Sequence, residues 1–371
     1  MSQAPYRADH VGSLLRPPAV KAAREAYYEK KSIPFEELKG AEDAAIRDDI
    51  AMQEAVGLKV VTDGETRRTF WHYDFMDGLT GLDLVKGSED NAVQFHGTKI
   101  PAIFPSITGK LDFPDDHPMI EHFKFVAANT KVTPKISIPG PSCVHFRTEK
   151  ANIHVPEYED LSVYFGDLSR TYAKAVKAFY DAGCRYLQMD DIYFAYLGDE
   201  KIRAQKKAEG VDPDWLIDQY ALMMHEAIKD RPTDMLIGMH MCRGNFRSTW
   251  AAEGSYDAAA DAIFNKSGVD LFFMEYDSDR AGGLEPLRLL PKGKQRVYPG
   301  FITTKTGKLE KLDDLKRKFE EASKYADLDQ LGIAPQCGFA STEHGNDITE
   351  DDQKRKLELV VETAHTIWGE P

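Results

Sequence analysis

Apolar runs of strand length alternate with helix-like stretches along nearly the whole chain, and this alternation limits the possible folds more than any other feature. Regular alternation of the two element types indicates a parallel sheet, and eight such units indicate closure into a (β/α)8 TIM barrel. The predicted strands are residues 11–15, 59–62, 135–139, 186–189, 235–239, 270–274, 296–302 and 331–335. The predicted helices are residues 17–31, 35–56, 158–182, 212–229, 256–267, 311–326 and 349–368, with a shorter one at 284–290.

The regular spacing is interrupted once, after the second predicted strand and its short helix. There, residues 79–131 form short apolar segments separated by turn residues, which is typical of antiparallel β-hairpins. No linker, low-complexity tract or charge block separates a second unit. The length of 371 residues suits one barrel with an insertion, so we expect a single domain over residues 1–371.

Charge and composition exclude several classes of partner. The formal charge of -14 argues against nucleic acid and anionic membranes, which select clustered Lys and Arg. The first residues contain no apolar signal segment, and no apolar run reaches the roughly 18 residues of a membrane span. We therefore expect a cytoplasmic protein that acts on small molecules, and a homo-oligomer is compatible with the sequence. Its 4 cysteines are too few and scattered for a disulfide framework, and suit a metal or catalytic role.

The end of the fifth predicted strand carries a histidine and a cysteine two positions apart. Side chains two positions apart on a strand point to the same side, so His240 and Cys242 can bind the same metal ion. Imidazole and thiolate select zinc over magnesium or calcium. Two later strand ends supply Glu275 and Cys337, and we predict a zinc ion held by all four residues. An isolated His-x-Cys pair would more often be a packed strand end.

Other polar residues also follow predicted strands. Glu65 and Asp190 could hold a substrate ammonium group, and Ser13 could donate to a carboxylate. Asp190 and Lys305 are the catalytic candidates, with Lys305 as a possible proton donor. The alternatives are a helix-capping turn for the segment with Glu65 and a solvated loop for Lys305. Zinc with two thiolates and a carboxylate activates a substrate thiol better than water, so this set favours thiol alkylation.

Two further groups remain open at this point. The first is an aromatic run that contains Trp71, His72 and Tyr73, which is core packing or a surface on which a flat heteroaromatic ligand stacks. The second is His145 and Arg147, which follow the third predicted strand and are equally ambiguous.

The chain resembles the catalytic barrel of cobalamin-independent methionine synthase, especially its shorter single-barrel relatives. In that family the matching His, Cys, Glu and Cys bind zinc, which holds homocysteine thiolate, and the matching serine and acids hold the amino acid. The resemblance implies methyl transfer from methyltetrahydrofolate or another donor, such as a methylcorrinoid, to homocysteine, giving methionine. Lys305 stands near the place of a family histidine. The resemblance rests on Val11-Gly-Ser13, Asp63-Gly-Glu65, Gln188-Met-Asp190, His240-Met-Cys242 and Pro335-Gln-Cys337-Gly-Phe.

Three other functions compete with this one. A zinc enzyme of the epoxyalkane:coenzyme M transferase type would need cations for the sulfonate of its thiol. A non-enzymatic binding module would use the metal as a brace, and a decarboxylase resembling uroporphyrinogen decarboxylase would use no metal. The cations available for a sulfonate are Arg67, Arg68, Arg243 and Arg247.

Overall fold

The computed structural model describes residues 4–86, 93–95, 98–100 and 103–371. Its strands are β1 (Val60–Val61), β2 (Thr80–Lys86), β3 (Val93–Phe95), β4 (Thr98–Ile100), β5 (Ile103–Asp112), β6 (Thr133–Pro134), β7 (Ile136–Pro139), β8 (Tyr186–Asp190), β9 (Leu236–Met241), β10 (Leu271–Glu275) and β11 (Arg296–Gly300). Its α-helices are α1 (Pro18–Arg24), α2 (Phe35–Ala55), α3 (Tyr73–Met76), α4 (Pro118–Asn129), α5 (Pro141–Arg147), α6 (Leu161–Asp181), α7 (Tyr193–Tyr196), α8 (Glu200–Ala208), α9 (Pro213–Ile228), α10 (Leu312–Ala322) and α11 (Glu350–Trp368).

Strands β7 to β11 form a parallel sheet of five strands in chain order. Every residue of β7, β8 and β10 is buried, which explains why these strands read as continuous apolar runs. Parallel strands in register end at the same edge, and Asp190 is the register partner of His240. The carboxyl ends of this sheet therefore gather the predicted site residues on one side of the protein. The fold is a mixed α/β fold, as predicted.

The first and last predicted strands lack regular ladders. Three isolated parallel bridges occur there instead, and they pair Ala8 with Ile333, Leu331 with Val297 and Pro335 with Ile302. Gly12 has a φ of +132°, a conformation that breaks an extended run. The bridges place the start of the chain next to the segment that follows β11. Complete closure of the barrel and a single domain over the whole chain stay predictions.

The excursion predicted at residues 79–131 contains two antiparallel pairs, β2 with β5 and β3 with β4. Residues 87–92, 96–97 and 101–102 of this prediction lie outside the described residues. The prediction of hairpins alone missed α4, a helix of 12 residues. Its start signal was available, because His117 accepts a hydrogen bond from the Met119 backbone N–H and Pro118 occupies the first helical position.

The longer predicted helices agree with the structure to within a few residues at each end. The exception is residues 256–267, where the described helix is only a π-helical turn at Ala262–Lys266. Helix α6 packs against α9 on the outside of the sheet. Within the described ranges, no helix combines the length and the apolar character that crossing a bilayer requires.

A buried ion pair joins the start of the chain to the residue that precedes β7. Lys135 and Asp9 are 0% exposed, and Lys135 Nζ lies 2.6 Å from Asp9 Oδ1. The other Asp9 oxygen accepts a hydrogen bond from the Tyr186 hydroxyl at 2.6 Å. Both carboxylate oxygens of Asp9 therefore have hydrogen-bond partners.

We expect Lys135→Met to lower the free energy of unfolding by about 3–5 kcal/mol, because it leaves the Asp9 carboxylate buried without its cation. Urea denaturation of the purified protein measures this change. The matched control is Lys177→Met, which removes a lysine paired with Asp181 while 74% of its side chain is exposed. That control is expected to cost less than about 1 kcal/mol. Equal losses in the two variants would contradict the prediction.

Candidate metal centre

Three predicted ligands come together at the carboxyl ends of the strands. His240 is the penultimate residue of β9, Cys242 follows that strand directly, and Cys337 follows the bridged residue Pro335. One ligand atom from each lies within 4.8 Å of the other two, and all three residues are buried. No other set of three His, Cys, Asp or Glu residues in the described part of the chain meets that distance.

The three residues fit a zinc ion. Two sulfur ligands on a tetrahedral zinc, each at about 2.3 Å from the ion, would lie about 3.8 Å apart. The sulfurs of Cys242 and Cys337 are 3.7 Å apart, far longer than a disulfide. Both ring nitrogens of His240 are buried without a hydrogen-bond partner, which is an unusual state for polar atoms unless a ligand completes them.

The surroundings of Cys337 favour its thiolate form. Contact with Cys242 and then the neighbouring His240 hold the pKa of the Cys337 thiol well below its ordinary value. The same contact with Cys337 raises the pKa of Cys242, because the two sulfurs share one proton more readily than they lose two. Thiolate is the form of cysteine that binds metals.

The fourth predicted ligand, Glu275, lies outside the group of three. Its Oε2 accepts a hydrogen bond from the Arg243 backbone N–H at 2.9 Å, and its Oε1 accepts one from Arg280 Nη2 at 2.9 Å. Burial would raise the pKa of Glu275, but the charges of Lys305, Arg243 and Arg280 outweigh burial and lower it. Glu275 is therefore an ionised carboxylate with protein partners, and its role as a ligand stays a proposal.

A cavity that is partly open to solvent adjoins the three ligands. The three predicted substrate-binding residues all line it. Sequence reasoning missed Asn245 and Ser341, although Asn245 follows the Cys242 segment closely enough to have been considered. The lining consists of Val11, Ser13, Glu65, Trp71, Asp190, Ile192, His240, Cys242, Gly244, Asn245, Cys337, Gly338 and Ser341.

Two buried carboxylates face this cavity. Glu65 has a φ of 57°, its Oε1 accepts a hydrogen bond from Ser137 Oγ at 2.9 Å, and its Oε2 is buried without a partner. Asp190 Oδ1 accepts one from Gln188 Nε2 at 2.8 Å. Burial raises the pKa of Asp190 to about 7, against the opposing effect of His240. Together these acids provide acceptors that an ammonium group can satisfy.

Ser13 is held against the segment that carries Cys337. The Phe339 backbone N–H donates to the Ser13 carbonyl at 2.9 Å, and the Ala340 N–H donates to Ser13 Oγ at 3.3 Å. A Cβ on Gly338 would lie 1.8 Å from Ser13 Oγ, so any larger residue there would displace the Ser13 hydroxyl. This contact places a serine hydroxyl at the cavity wall beside Cys337.

If Ser13 contacts the substrate of this cavity, we expect Gly338→Ala to raise the KM for that substrate roughly tenfold to a hundredfold, because the new methyl group displaces Ser13 at an overpacking cost of about 1–3 kcal/mol. Steady-state kinetics with varied substrate concentration measures the change. Gly40→Ala in α2 is the control, since nothing lies within 4 Å of its added Cβ. An unchanged KM in Gly338→Ala would show that Ser13 does not contact the substrate.

Lys305 is buried but is not among the residues that line the cavity. Its Nζ donates to the Thr249 carbonyl at 3.5 Å. The preceding residue, Thr304, is held by the Gln336 side chain through two hydrogen bonds of 2.8 Å. The positive charge of Lys305 favours the ionised forms of Glu275, Cys242 and Cys337. Its role as a proton donor stays a prediction.

Most of the arginines proposed for a sulfonate already have protein partners. Arg243 donates to the carbonyls of Gly254, Glu275 and Ala281. Arg68 donates to the carbonyls of Trp71 and Ser137, and Arg67 pairs with Glu42 and Asp43. These three guanidinium groups therefore give no support to a coenzyme M enzyme.

A buried imidazole and two thiols beside a polar cavity, at the carboxyl ends of parallel strands, define an α/β protein with a site for a thiophilic metal. Residues 8–365 match the model of the cobalamin-independent synthase catalytic domain. The chain belongs to this family, whose members are zinc-using methyltransferases of the methionine synthase type, and the predicted resemblance is confirmed.

Three known proteins illustrate the relationship. The Bacillus subtilis protein YxjH is 46% identical over 99% of this chain and 96% of its own length. A solved Listeria monocytogenes structure, assigned to the vitamin-B12-independent methionine synthases, is 36% identical, covers 100% of both chains and has a TM-score of 0.78. A Shewanella B12-independent methionine synthase, solved with selenomethionine, shares the fold at 19% identity over 98% of both chains with a TM-score of 0.70.

Proposed function

We propose that the protein catalyses zinc-dependent methyl transfer to a thiol, with homocysteine as acceptor and methionine as product. The observation that carries this proposal is the group of His240, Cys242 and Cys337 within 4.8 Å, open to the cavity that contains Glu65 and Asp190. Zinc bound there supplies a Lewis acid that lowers the pKa of a ligating thiol and keeps it nucleophilic.

Different side chains of the protein bind the metal and the acceptor. His240, Cys242 and Cys337 would hold the metal, and Glu275 is the proposed fourth ligand. Glu65 and Asp190 accept hydrogen bonds from the ammonium group of the acceptor, and Ser13 donates to its carboxylate. Removing one partner of such a buried pair of charges costs about 2–5 kcal/mol of binding free energy, largely because the other charge is left buried and unpaired.

The reaction forms a sulfur–carbon bond and breaks the bond between the methyl group and its donor. With methyltetrahydrofolate as donor, the leaving nitrogen must gain a proton, and we assign that proton to Lys305. The donor could also be another methyl compound. The Shewanella protein was solved with selenomethionine, the selenium analogue of the proposed product, which supports homocysteine as the methyl acceptor.

The proposed barrel supports the same geometry. In a closed (β/α)8 ring over a single domain, the segment at 331–335 would be the eighth strand and residues 11–15 the first. The bridges at Ala8, Leu331 and Pro335 agree with that arrangement. Closure would bring Ser13 and Cys337 to one mouth together with His240, as an active site at the carboxyl ends of barrel strands requires.

Metal analysis and an activity assay test this function together. We expect stoichiometric zinc in the purified protein and methionine formation from homocysteine with methyltetrahydrofolate or methylcobalamin as donor. Coenzyme M replaces homocysteine as the control thiol and is expected not to react. Stoichiometric zinc without thiol binding would instead indicate a metal-braced binding module, and stoichiometric zinc in either case would rule out the metal-free decarboxylase function.

A further inference from the structure

The carboxylate of Glu275 is held by Arg280, a residue that the sequence did not single out. Arg280 Nη2 donates to Glu275 Oε1 at 2.9 Å, and Arg280 Nε donates to the same oxygen at 3.2 Å. The Glu275 side chain is 0% exposed and the Arg280 side chain 15% exposed. A buried carboxylate needs a positive partner, so Arg280 stabilises Glu275 in a position outside the group of three ligands.

Arg280 has a second carboxylate partner. Its Nη2 also donates to Asp277 Oδ1 at 3.0 Å and to Asp277 Oδ2 at 3.2 Å. The Asp277 side chain is only 4% exposed, so this ion pair is buried as well. Arg280 would therefore keep a partner if Glu275 turned away from it. The Glu275 carboxylate can thus bind another cation without leaving a buried guanidinium unpaired.

Two contacts fix the position of Arg280. The Gly254 backbone N–H donates to the Arg280 carbonyl at 2.9 Å, and the guanidinium lies 4.7 Å from the centre of the Trp250 ring. Both contacts come from the segment that follows the predicted ligand Cys242. A guanidinium that is anchored at its backbone and stacked on an aromatic ring is pre-organised to bind a carboxylate.

The other oxygen of Glu275 faces the metal ligands. Glu275 Oε2 accepts a hydrogen bond from the Arg243 backbone N–H at 2.9 Å, and Arg243 follows Cys242 directly in the chain. The carboxylate therefore lies between the ligand segment on one side and the Arg280 guanidinium on the other. When a metal ion is bound by the group of three, Glu275 has two cations within its surroundings that compete for one negative charge.

We propose that Arg280 is a positioning residue that competes with the bound metal for the Glu275 carboxylate. By stabilising Glu275 away from the ion, Arg280 leaves the fourth coordination place accessible to a substrate thiol. Asp277 is the partner that retains Arg280 while Glu275 binds the metal. This inference rests on the proposed function, since it assigns the residue that controls access of the acceptor thiol to the same metal centre.

The zinc affinity of the full chain without substrate tests this competition. We expect Arg280→Met to raise the affinity about tenfold, because Glu275 loses the charged hydrogen bonds that oppose its binding to the ion. Competition with a chromophoric chelator measures it. The matched control is Arg231→Met, since the Arg231 side chain is 16% exposed and pairs with Asp270, just before β10, at 2.9 Å. Its zinc affinity is expected to stay at the wild-type value. An unchanged or lower affinity in Arg280→Met would overturn the proposal.

Thiol binding is expected to change in the opposite direction. In the cobalt-substituted protein, the visible absorption bands report the ligands of the ion, and a titration with homocysteine gives its Kd. We expect Arg280→Met to raise this Kd about tenfold, because the thiol then displaces a carboxylate that has lost its alternative cation. A packing defect would weaken the binding of both metal and thiol, so opposite changes are specific to the competition. A homocysteine Kd at or below the wild-type value in Arg280→Met would contradict the proposal.

Two further variants show whether the effect acts through Glu275. In a Glu275→Gln background, Arg280→Met is expected to change the zinc affinity by less than about twofold, because the charge for which the two cations compete is gone. A tenfold change that persists there would refute the proposal. Arg280→Lys keeps the charge without the planar fork, and its zinc affinity is expected to fall between those of wild type and Arg280→Met. If Arg280→Met does not fold, an Arg280→Lys affinity at or below wild type overturns the proposal.

These measurements also separate the competition from the proposed function. The zinc affinities require neither an acceptor thiol nor methyl transfer. A rise in Arg280→Met that Glu275→Gln abolishes therefore supports the competition even if no methionine forms. If homocysteine changes no cobalt band in any variant, the proposed acceptor is wrong, and the zinc affinities alone decide for or against the role of Arg280.

Discussion

Cys337→Ser is expected to lower the zinc affinity of the protein by roughly 10²–10³-fold and to abolish methionine formation. A structural zinc site in a small protein is worth about 10–16 kcal/mol, so each of four ligands contributes about 3–4 kcal/mol. The loss is larger for Cys337 than for a peripheral residue, because its sulfur contacts Cys242 at 3.7 Å and its thiolate is the readily formed one. Competition with a zinc chelator measures the affinity, and the homocysteine assay measures the activity.

Cys184→Ser is the matched control for that variant. Cys184 is also fully buried, and its sulfur donates to the Tyr186 carbonyl at 3.3 Å, a bond that a serine hydroxyl can replace. It belongs to no metal-competent group in the described ranges. Zinc content and activity should therefore stay at the wild-type level in the control. Retention of both by Cys337→Ser would contradict the proposed metal centre.

Asp190→Asn is expected to reduce kcat/KM for homocysteine by roughly 30-fold to 1,000-fold. The amide keeps the shape of the side chain but loses the charge that faces the substrate ammonium, at a cost of about 2–4 kcal/mol. The zinc content should not change, because Asp190 is not in the group of three ligands. Steady-state kinetics and metal analysis of the same preparation measure both quantities.

The neighbouring Asp191 provides the control for this substitution. It is buried like Asp190, but it accepts a hydrogen bond from the Ser142 hydroxyl and does not line the cavity. Asp191→Asn is expected to leave the KM for homocysteine unchanged. Similar kinetic losses in the two variants would indicate a general packing defect in place of a lost substrate contact.

The three ligands that meet in the structure were predictable because of one geometric rule. Parallel strands end at the same edge of the sheet, so polar residues at the ends of distant strands become neighbours. His240 and Cys242 follow the rule through β9, and Cys337 follows it through the bridges beside β11. Asp190 follows it through its register with His240.

Other features depend on contacts that spacing does not encode. The position of Glu275 at the end of β10 was predictable, but its hydrogen bonds to Arg280 and the Arg243 backbone depend on the loop conformations after the strands. Helix α4 was missed although its buried positions Met119, Ile120, Phe123 and Val126 have helical spacing.

The contact between Ser13 and Gly338 joins the first and last parts of the polypeptide at the substrate cavity. A fragment that stops before Gly338 therefore lacks one side of this wall. The substrate cavity is complete only when both segments belong to one folded chain.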